Sequence, residues 1–502
     1  MTDVTAGGAA RPIYSNGYKA LVLAMLVAAY TFNFIDRTII STIGQAIKVD
    51  LELTDTQLGL LGGLYFALLY TTLGIPIARW AERGDRVTII TLALVIWSGF
   101  TALCGAAVNF TMLAALRFGV GIGEAGCSPP SHSLISDYFE PKKRASALSI
   151  YSFGIPLGTM IGAVAGGWLA QNMGWRWAFV IVGLPGLILA LLFKLLVKEP
   201  PRGHSDLAER PLVEEDVTAP AVHAPQPFSI GREFSELWSV TRALFARWPV
   251  LHMVLGVTIA SFGSYGSGAF VPAYFVRQFG LDYATVGLIT GLVGGFSAGV
   301  GTLVGGFIAD RAARRSAIWY PLVPAIGLLV ATPIYIAAYL QNDWRTAALI
   351  LLVPGIFHYT YLGPTFGVVQ NSVPVTQRAT ATALLFFFLN LLALGGGPVF
   401  TGWVSDALGQ FNFAHPGQTV SGMFAAVGAD PGVGDFIRDC PGGKAPDGAA
   451  ESLAAACHAA GSLGTRQAII VSICFYAWAS LHYFLAAIGM VKHMQDRAAA
   501  QG

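Results

Sequence analysis

Residues 306–315 read GFIADRAARR, and this short basic segment decides how the whole chain is interpreted. It lies between two long apolar runs, which predicts a tight loop between two helices. The segment ARWAERGDR at residues 78–86 occupies the same place in the first half of the chain. When Glu82 is aligned with Asp310, 228 positions later, the small, alanine, acidic and arginine positions coincide. The chain is therefore predicted to contain two copies of one structural unit.

The composition around these segments excludes a soluble protein. Of 502 residues, 54% are hydrophobic and 12% are charged, and the mean hydropathy is +0.60. A soluble domain carries about 25% charged residues, so half of the expected charge is missing. The net charge of +2 provides no basic field for nucleic acid, and five scattered cysteines form no metal-ligand spacing. We expect an all-α polytopic membrane protein that needs no cofactor.

Twelve apolar runs are long enough to cross a bilayer as helices. They predict two six-helix bundles at residues 17–197 and 250–492, preceded by a segment at 1–16 and followed by a tail at 493–502. A linker at 198–249 joins the bundles, and part of it, around Ile230–Ala246, fits an amphipathic surface helix. A long loop is predicted at 406–465 on the outer side. The predicted spans are 17–42, 57–79, 87–108, 111–135, 144–171, 175–197, 250–275, 284–309, 317–340, 345–370, 379–405 and 466–491.

The distribution of basic residues predicts the orientation of these spans. When residues at span ends are counted with the adjoining loops, the termini and the loops on their side hold 21 of the 30 Lys and Arg residues, the opposite loops hold 7, and 2 lie deep inside spans. Cytoplasmic loops carry the excess of Lys and Arg, so both termini are expected in the cytoplasm of a bacterial inner membrane. Cys440 and Cys457 then lie in the outer loop, where they either form a disulfide or remain free thiols.

Four charged residues fall inside the apolar runs. They are Asp36 and Arg37 in the first span, and Arg117 and Glu124 in the fourth. Charges near the bilayer centre cost roughly 2.5–3.5 kcal/mol each, so they predict a functional site rather than a structural one. Asn33 adds a polar group on the first span, and Arg117 and Glu124 are two turns apart on one helix face. The alternative is a purely structural ion-pair network between two helices.

The two loop segments resemble the signature of the major facilitator superfamily, nearly complete in the second copy and degenerate in the first, where Glu82 replaces the usual Asp. Three further segments are similar to patterns of this superfamily: RFGVGIG at 117–123, GIPLG at 154–158 and GWRWAF at 174–179. Within the superfamily, NFIDR at 33–37 and GIGEAG at 121–126 resemble the spinster group of lipid transporters. The resemblance implies a twelve-helix carrier that works by alternating access.

The resemblance also implies roles for particular residues. The loop residues Glu82, Arg83, Arg86, Asp310, Arg311 and Arg314 are expected to form cytoplasmic latches between the bundles. Asp36 and Glu124 are the expected proton carriers, and Arg37 and Arg117 are expected to pair with them and with a substrate head group. Asn33, His358 and Tyr361 are expected to line the cavity. Pro156 predicts a kink in the fifth span, whose glycine pattern is similar to one found in antiporters.

These observations predict a monomeric, proton-coupled transporter of an amphipathic, lysophospholipid-like or sphingoid-phosphate-like substrate. The chain shows no P-loop and no HExxH segment, so it is not expected to be an enzyme, and its energy must come from a gradient. Two alternatives remain open. One is an exporter of another small organic anion or drug on the same fold, and the other is a membrane sensor that transports nothing.

Overall fold

All regular elements in the described part of the computed structural model are helices. The structure describes residues 14–202, 204–205, 238–242, 244–373, 378–417 and 434–499. Within these residues, eleven helices are long and apolar enough to cross a membrane. The predicted fourth span forms two shorter helices that meet end to end, which completes the predicted set of twelve.

We number the twelve principal helices in chain order. The first six are α1 (Asn16–Thr42), α2 (Asp55–Gly59, Leu60–Leu64 and Tyr65–Arg83), α3 (Arg86–Cys104), α4 (Phe110–Glu124 and Ser128–Tyr138), α5 (Pro141–Ser152 and Gly154–Met173) and α6 (Trp175–Leu196). The last six are α7 (Trp248–Phe279), α8 (Tyr283–Gly291, Leu292–Ser297 and Ala298–Ala313), α9 (Trp319–Tyr339), α10 (Trp344–Leu351, Pro354–His358, Tyr359–Tyr361 and Leu362–Asn371), α11 (Arg378–Phe388, Leu389–Gly395 and Gly396–Ala414) and α12 (Glu451–Ala499).

The helices alternate in direction and give the molecule two faces. We call the face that carries the loops at 84–85, 139–140, 197–202 and 314–318 the terminus face. The disulfide face carries the loops at 51–54, 105–109, 280–282 and 340–343. It also carries the segment 435–450, whose Cys440 is joined to Cys457 of α12 by a disulfide with an S–S distance of 2.05 Å.

Three predictions about helix boundaries need correction or completion. The predicted loop at 406–465 is too long, because α11 continues to Ala414 and α12 already begins at Glu451. The predicted kink in α5 lies at Phe153, since Pro156 has no N–H to donate to the carbonyl oxygen one turn earlier. In the predicted surface helix at 230–246, residues 238–242 and 244–245 are helical, residue 246 lies in a turn, and the others lie outside the described residues.

Each half of the chain has its own buried core. One set of apolar clusters is built mainly from residues 22–197, and another is built mainly from residues 240–486. The halves meet along two helix pairs, α2 with α11 and α5 with α8. Neither Gly59 nor Gly402 leaves room for a Cβ against the opposite backbone, and the same holds for Gly167 and Gly287. Backbones therefore touch across the interface because side chains are absent there.

Short π-helical segments interrupt three of the four helices at this interface. They are Leu60–Leu64 in α2, Leu292–Ser297 in α8 and Leu389–Gly395 in α11. Such segments are rare and are found frequently at functional sites, because the extra residue rotates the following side chains relative to the preceding turn. The interruptions coincide with the helices that join the two halves.

Candidate functional site

Two arginine–carboxylate contacts connect α1 with α4 inside the first half. The Nε atom of Arg37 donates to Oε2 of Glu124 at 2.7 Å. Nη1 of Arg117 makes a longer contact of 3.5 Å with Oδ2 of Asp36. The side chains of Glu124 and Arg117 have no exposed surface, whereas that of Arg37 is 17% exposed. The four predicted charges thus lie together, and each arginine meets the acid of the other helix.

Glycines in α4 allow this close assembly. A Cβ at Gly121 would lie 2.8 Å from the carbonyl oxygen of Phe66 in α2, and one at Gly123 would lie 2.5 Å from the backbone nitrogen of Trp97 in α3. Only residues without a side chain fit such distances. The helix that carries Arg117 and Glu124 is consequently held against two neighbours at the level of the charges.

Asp36 has a second, neutral partner that sequence analysis missed. The hydroxyl group of Thr101 in α3 donates to Oδ1 of Asp36 at 2.6 Å. The Glu124 carboxyl also interacts with the Asp36 carboxyl. A threonine in an apolar span gives no sequence signal of such a role, because it can equally bond its own helix backbone. The two carboxyl groups therefore share one buried polar site with two arginines and a hydroxyl.

Several buried polar atoms of this site have no hydrogen-bond partner among the described residues. They are both side-chain polar atoms of Asn33, Nη2 of Arg117 and Oε1 of Glu124. An unpaired buried polar group costs about 1–3 kcal/mol. A proton on a carboxyl group, or a polar group of a substrate, would satisfy such atoms. The site is thus able to accept additional hydrogen-bonding groups without rearranging its backbone.

Aromatic rings surround the Arg37 guanidinium. Its central carbon lies 4.5 Å from the ring centre of Tyr70, 4.8 Å from that of Phe66 and 5.2 Å from that of Phe34. Cations bind favourably over aromatic faces. Sequence analysis did not single out these rings, although Phe34 precedes Arg37 by three residues and Phe66 precedes Tyr70 by four, which are helix-face spacings.

The second half provides a hydroxyl-bearing wall opposite Arg37. Tyr265 of α7 is close enough to Arg37 and Tyr70 to interact with them electrostatically, and it also interacts with Tyr359 of α10. The hydroxyl groups of Ser264 and Tyr359 are 3.5 Å apart. Arg37 is therefore within electrostatic range of a tyrosine of the second half.

His358 and Tyr361 lie in the packed interior of the second half. The His358 ring stacks on Tyr476 at 4.3 Å and packs against Tyr359 at 4.5 Å, and its Nδ1 atom lies 3.5 Å from the Tyr335 hydroxyl. The Tyr361 hydroxyl bonds Ser261 at 3.0 Å. Tyr359, which lies between them in sequence, is the partly exposed member of this group. Contact of His358 and Tyr361 with a cavity stays a prediction.

At the terminus face, Arg86 is completely buried and binds only its own half. It pairs with Asp137, with Glu199 at 2.6 Å and with the Ser133 hydroxyl at 2.8 Å. Arg83 is exposed at the end of α2, and the side chain of Glu82 lies outside the described part of the structure. No side-chain hydrogen bond or ion pair joins Asp310, Arg311 or Arg314 to any other described residue, and all three are exposed. Among the described residues, Asp310, Arg311 and Arg314 thus form no ion pair in this state, and the latch between the halves stays a prediction.

At the disulfide face, buried charges connect the two halves. The Arg277 guanidinium of α7 binds both oxygens of Asp55 in α2 at 2.6 and 2.7 Å, and Lys48 binds Asp55 at 2.7 Å. All three side chains are at most 8% exposed. Burial lowers the pKa of the Lys48 ammonium group, which lies between the first two spans. This charge cluster is a connection that sequence analysis missed, because its members lie at span ends where charges are common.

Asp406 of α11 completes this connection. Its carboxylate accepts the backbone N–H groups of Asp55 at 2.9 Å and Thr56 at 2.8 Å, and the Thr56 hydroxyl at 2.6 Å. These groups form the beginning of α2, where unpaired N–H groups favour a negative charge. A residue of one half therefore caps a helix of the other. We call Lys48, Asp55, Arg277 and Asp406 the disulfide-face lock.

Comparisons with known proteins agree with this architecture. The model of the Major Facilitator Superfamily matches residues 26–398. An MFS-type efflux pump of Mycolicibacterium smegmatis is 33% identical over 387 residues, which are 77% of this chain and 84% of that protein. The hexuronate transporter of Bacillus subtilis is 26% identical over 79% of this chain and 90% of that protein.

A solved structure extends the comparison to nearly the whole chain. It is a bacterial homolog of the human lysosomal transporter spinster in an inward-facing, unoccupied conformation. The two chains are 33% identical, the match covers 95% of this chain and 99% of the other, and the TM-score is 0.77. The repeated loops, the buried charges of α1 and α4 and these matches lead to one conclusion: the chain belongs to the Major Facilitator Superfamily and is a spinster-like transporter rather than an enzyme.

Proposed function

We propose that the protein is a proton-coupled transporter of an amphipathic anion, of the lysophospholipid or sphingoid-phosphate type. The observation that carries the proposal is the position of Arg37. It is the most exposed of the four central charges, it is paired with the buried Glu124, and it faces Tyr265 across the divide between the halves. A cation in this position is available both to a carboxylate of the protein and to an anion that enters between the halves.

The first step is competition for Arg37. A guanidinium has five N–H donors and suits phosphate and carboxylate groups, and only its Nε atom donates to Glu124. A phosphate head group that approaches from the side of Tyr70 and Tyr265 would bind the remaining donors. The aromatic rings around Arg37 would at the same time contact the apolar part of an amphiphile next to its head group.

The second step is proton uptake. A buried carboxylate that loses its cation is stabilised by binding a proton, because desolvation disfavours the charged form. Glu124 has no exposed surface, its Oε1 atom has no partner among the described residues, and the Asp36 carboxyl is next to it. A proton shared by these two acids would supply the missing hydrogen bond. Substrate and proton are thereby coupled through one arginine.

The third step is alternating access. The described state is closed by the lock at the disulfide face, whereas Asp310, Arg311 and Arg314 at the terminus face form no side-chain ion pair with a described residue. With the Lys and Arg excess on the terminus side, this arrangement corresponds to a transporter in the inner membrane that is open toward the cytoplasm. Gly158 of α5 lies against α1, and Gly167 of α5 lies against α8. Such close contacts suit a helix that moves between two packed positions, which favours transport by exchange (antiport).

Neutral substitutions of the two acids test the coupling. In proteoliposomes with an imposed pH gradient, Glu124→Gln and Asp36→Asn should each reduce gradient-stimulated uptake of lysophospholipid at least about tenfold, since a proton-transfer group contributes roughly this much or more. Substrate binding without a gradient should persist. Asp50→Asn is the matched control, because Asp50 forms an exposed pair with Arg176 at the disulfide face. Wild-type pH dependence in both acid variants would refute the proposal.

A second candidate substrate class is a small polar organic anion. The hydroxyl groups of Tyr265, Tyr359 and Ser264 opposite Arg37 favour it, because a sugar acid could hydrogen-bond this wall. The same proteoliposomes decide between the classes when lysophospholipid and hexuronate are offered separately. Counterflow of either one would also exclude a sensor that transports nothing.

A further inference from the structure

We propose that a groove between α1 and α5 holds the aliphatic chain of the transported amphiphile, an inference that rests on the proposed function. The groove is a cavity of about 600 Å³ that belongs entirely to the first half. Eight of its nine lining residues are apolar. They are Ala20, Leu23, Ala24, Val27, Ala28, Phe32, Ile150 and Leu157, and the ninth is Thr31.

The sequence explains why a groove forms at this point. Ala20, Ala24 and Ala28 recur every four residues, so one face of α1 carries only methyl groups. The break in α5 at Phe153 turns its first segment aside, where Tyr151 stacks on Tyr30 with ring centres 4.4 Å apart. Ala20 and Ala24 stay exposed beside this break, and Ile150 is 52% exposed.

Beyond the break, α5 closes the groove. Cβ atoms at Gly154 and Gly158 would meet the backbone of α1 at Thr31 at short distances, so the two helices are in contact from this level onward. The groove therefore runs along residues 20–32 of α1, which is about 18 Å at 1.5 Å per residue. This length slightly exceeds half of the ~30 Å hydrocarbon core, that is, the depth of one leaflet.

Thr31 gives the closed end of the groove a polar group. Its hydroxyl has no partner among the described residues, although the side chain is only 7% exposed. Buried hydroxyl groups usually bond a partner, and in helices the carbonyl four residues earlier often serves. A free hydroxyl at the end of an apolar groove matches a molecule with a long chain and a hydrogen-bonding group, such as an ester or a hydroxyl, beside its head group.

The groove ends beside the site at Arg37. Phe34 lies between them, because its ring packs edge-on against Tyr30 at 5.2 Å and lies 5.2 Å from the Arg37 guanidinium. An anionic head group at Arg37 would place the linking group near Thr31 and the chain along the alanine face. Polar and apolar parts of one amphiphile thus have adjacent places on the same helix.

Filling the groove tests this assignment. Ala24→Trp and Ala28→Trp should lower uptake of a long-chain lysophospholipid about tenfold and leave uptake of a short-chain analogue with the same head group unchanged. Leu192→Trp is the matched control, because Leu192 is 43% exposed on α6 and lines no part of the groove. Uptake of the long-chain substrate at the wild-type rate by both alanine variants would overturn the inference. Failure of the wild-type protein to transport any amphiphile would instead overturn the proposed function, and with it this inference.

Photolabelling of the wild-type protein tests the same assignment without relying on variants that fold correctly. A lysophospholipid with a photoreactive group at its chain end should label residues 20–32 or 150–157, and an excess of unlabelled substrate should suppress the labelling. Labelling confined to the second half would contradict the assignment. Labelling of the groove that substrate does not suppress would identify a resident bilayer lipid and would also contradict it.

Discussion

The two faces of the molecule differ in how the halves meet. At the disulfide face, Arg277 and Asp406 of the second half bind Asp55 and the beginning of α2, and all of these groups are buried. At the terminus face, the buried Arg86 binds only residues of its own half. Asp310 on the other side makes no hydrogen bond or ion pair with a residue that the structure describes. The disulfide face is therefore closed by buried charges, whereas Arg86 and Asp310 form no ion pair with a described residue of the opposite half.

The difference shows how one pair of rigid halves can have two states. The lock consists of a few directional contacts, and the segment that carries Cys440 adds Gly442, which packs against the backbone at Lys48. The helix pairs along the interface approach each other closely at glycine backbones. Closure at either face then depends on a small number of hydrogen-bonded charges, which is the kind of contact that a rocking motion can exchange.

The largest effect is expected from Arg277→Ala. Removing one partner of a buried ion pair costs about 3–5 kcal/mol, because the other charge stays buried without its partner. Asp55 would retain Lys48 as its charged partner and the Ser405 hydroxyl as a neutral donor, and the closed disulfide face should lose most of its population. Spin labels at Ala106 and Asn342, both exposed on this face, should report longer distances in a background that lacks the exposed Cys474.

Arg176→Ala provides the control for this experiment. Arg176 pairs with Asp50 at 2.7 Å on the same face, but both side chains are more than 40% exposed. Exposed ion pairs contribute about 0–1 kcal/mol, so the distance distribution should stay close to that of the wild type. Equal effects of Arg176→Ala and Arg277→Ala would show that burial of the lock is not what closes the face.

A smaller effect is expected from Asp406→Asn. The substitution keeps the size of the side chain but removes the charge that accepts two N–H groups at the beginning of α2. Hydrogen bonds to charged groups contribute about 1.5–3 kcal/mol, so the same labels should show a partial shift toward longer distances. Thr56→Val removes only the hydroxyl contact with Asp406 and should shift the distribution less. A larger shift with Thr56→Val than with Asp406→Asn would contradict the capping role.

The sequence was sufficient to predict the central site because charge is costly in an apolar span. Asp36, Arg37, Arg117 and Glu124 were identifiable as exceptions to hydropathy, and the structure brings them together. Their pairing was not predictable, because four charges on two helices allow either arginine to meet either acid. The aromatic rings around Arg37 and the Thr101 hydroxyl do not depart from the usual composition of an apolar span. Only the structure shows that they contact Arg37 and Asp36.

The lock was missed for a related reason. Arg277 and Asp406 lie near the ends of α7 and α11, where charges are expected on any membrane helix. Nothing in the chain indicates that two positions 222 residues apart, Asp55 and Arg277, are in contact. The repeated loops, in contrast, predicted a duplicated architecture correctly, because a repeat in register is a property of the sequence itself.

The smallest effect is expected at the terminus face. Asp310 has no ion pair with a described residue in this state, so Asp310→Asn should leave the closed disulfide face intact. If Asp310 contributes to a latch in the opposite state, its loss should favour the described state by up to about 1 kcal/mol, a factor of about five in the ratio of the two. Labels at Ser146 and Ala317, both exposed on the terminus face, should then show an increase in the longer distances, and labels at Ala106 and Asn342 an increase in the shorter ones. The two changes must occur together, because one rigid-body motion opens one face as it closes the other; a change at the terminus face alone would mean that the two faces move independently.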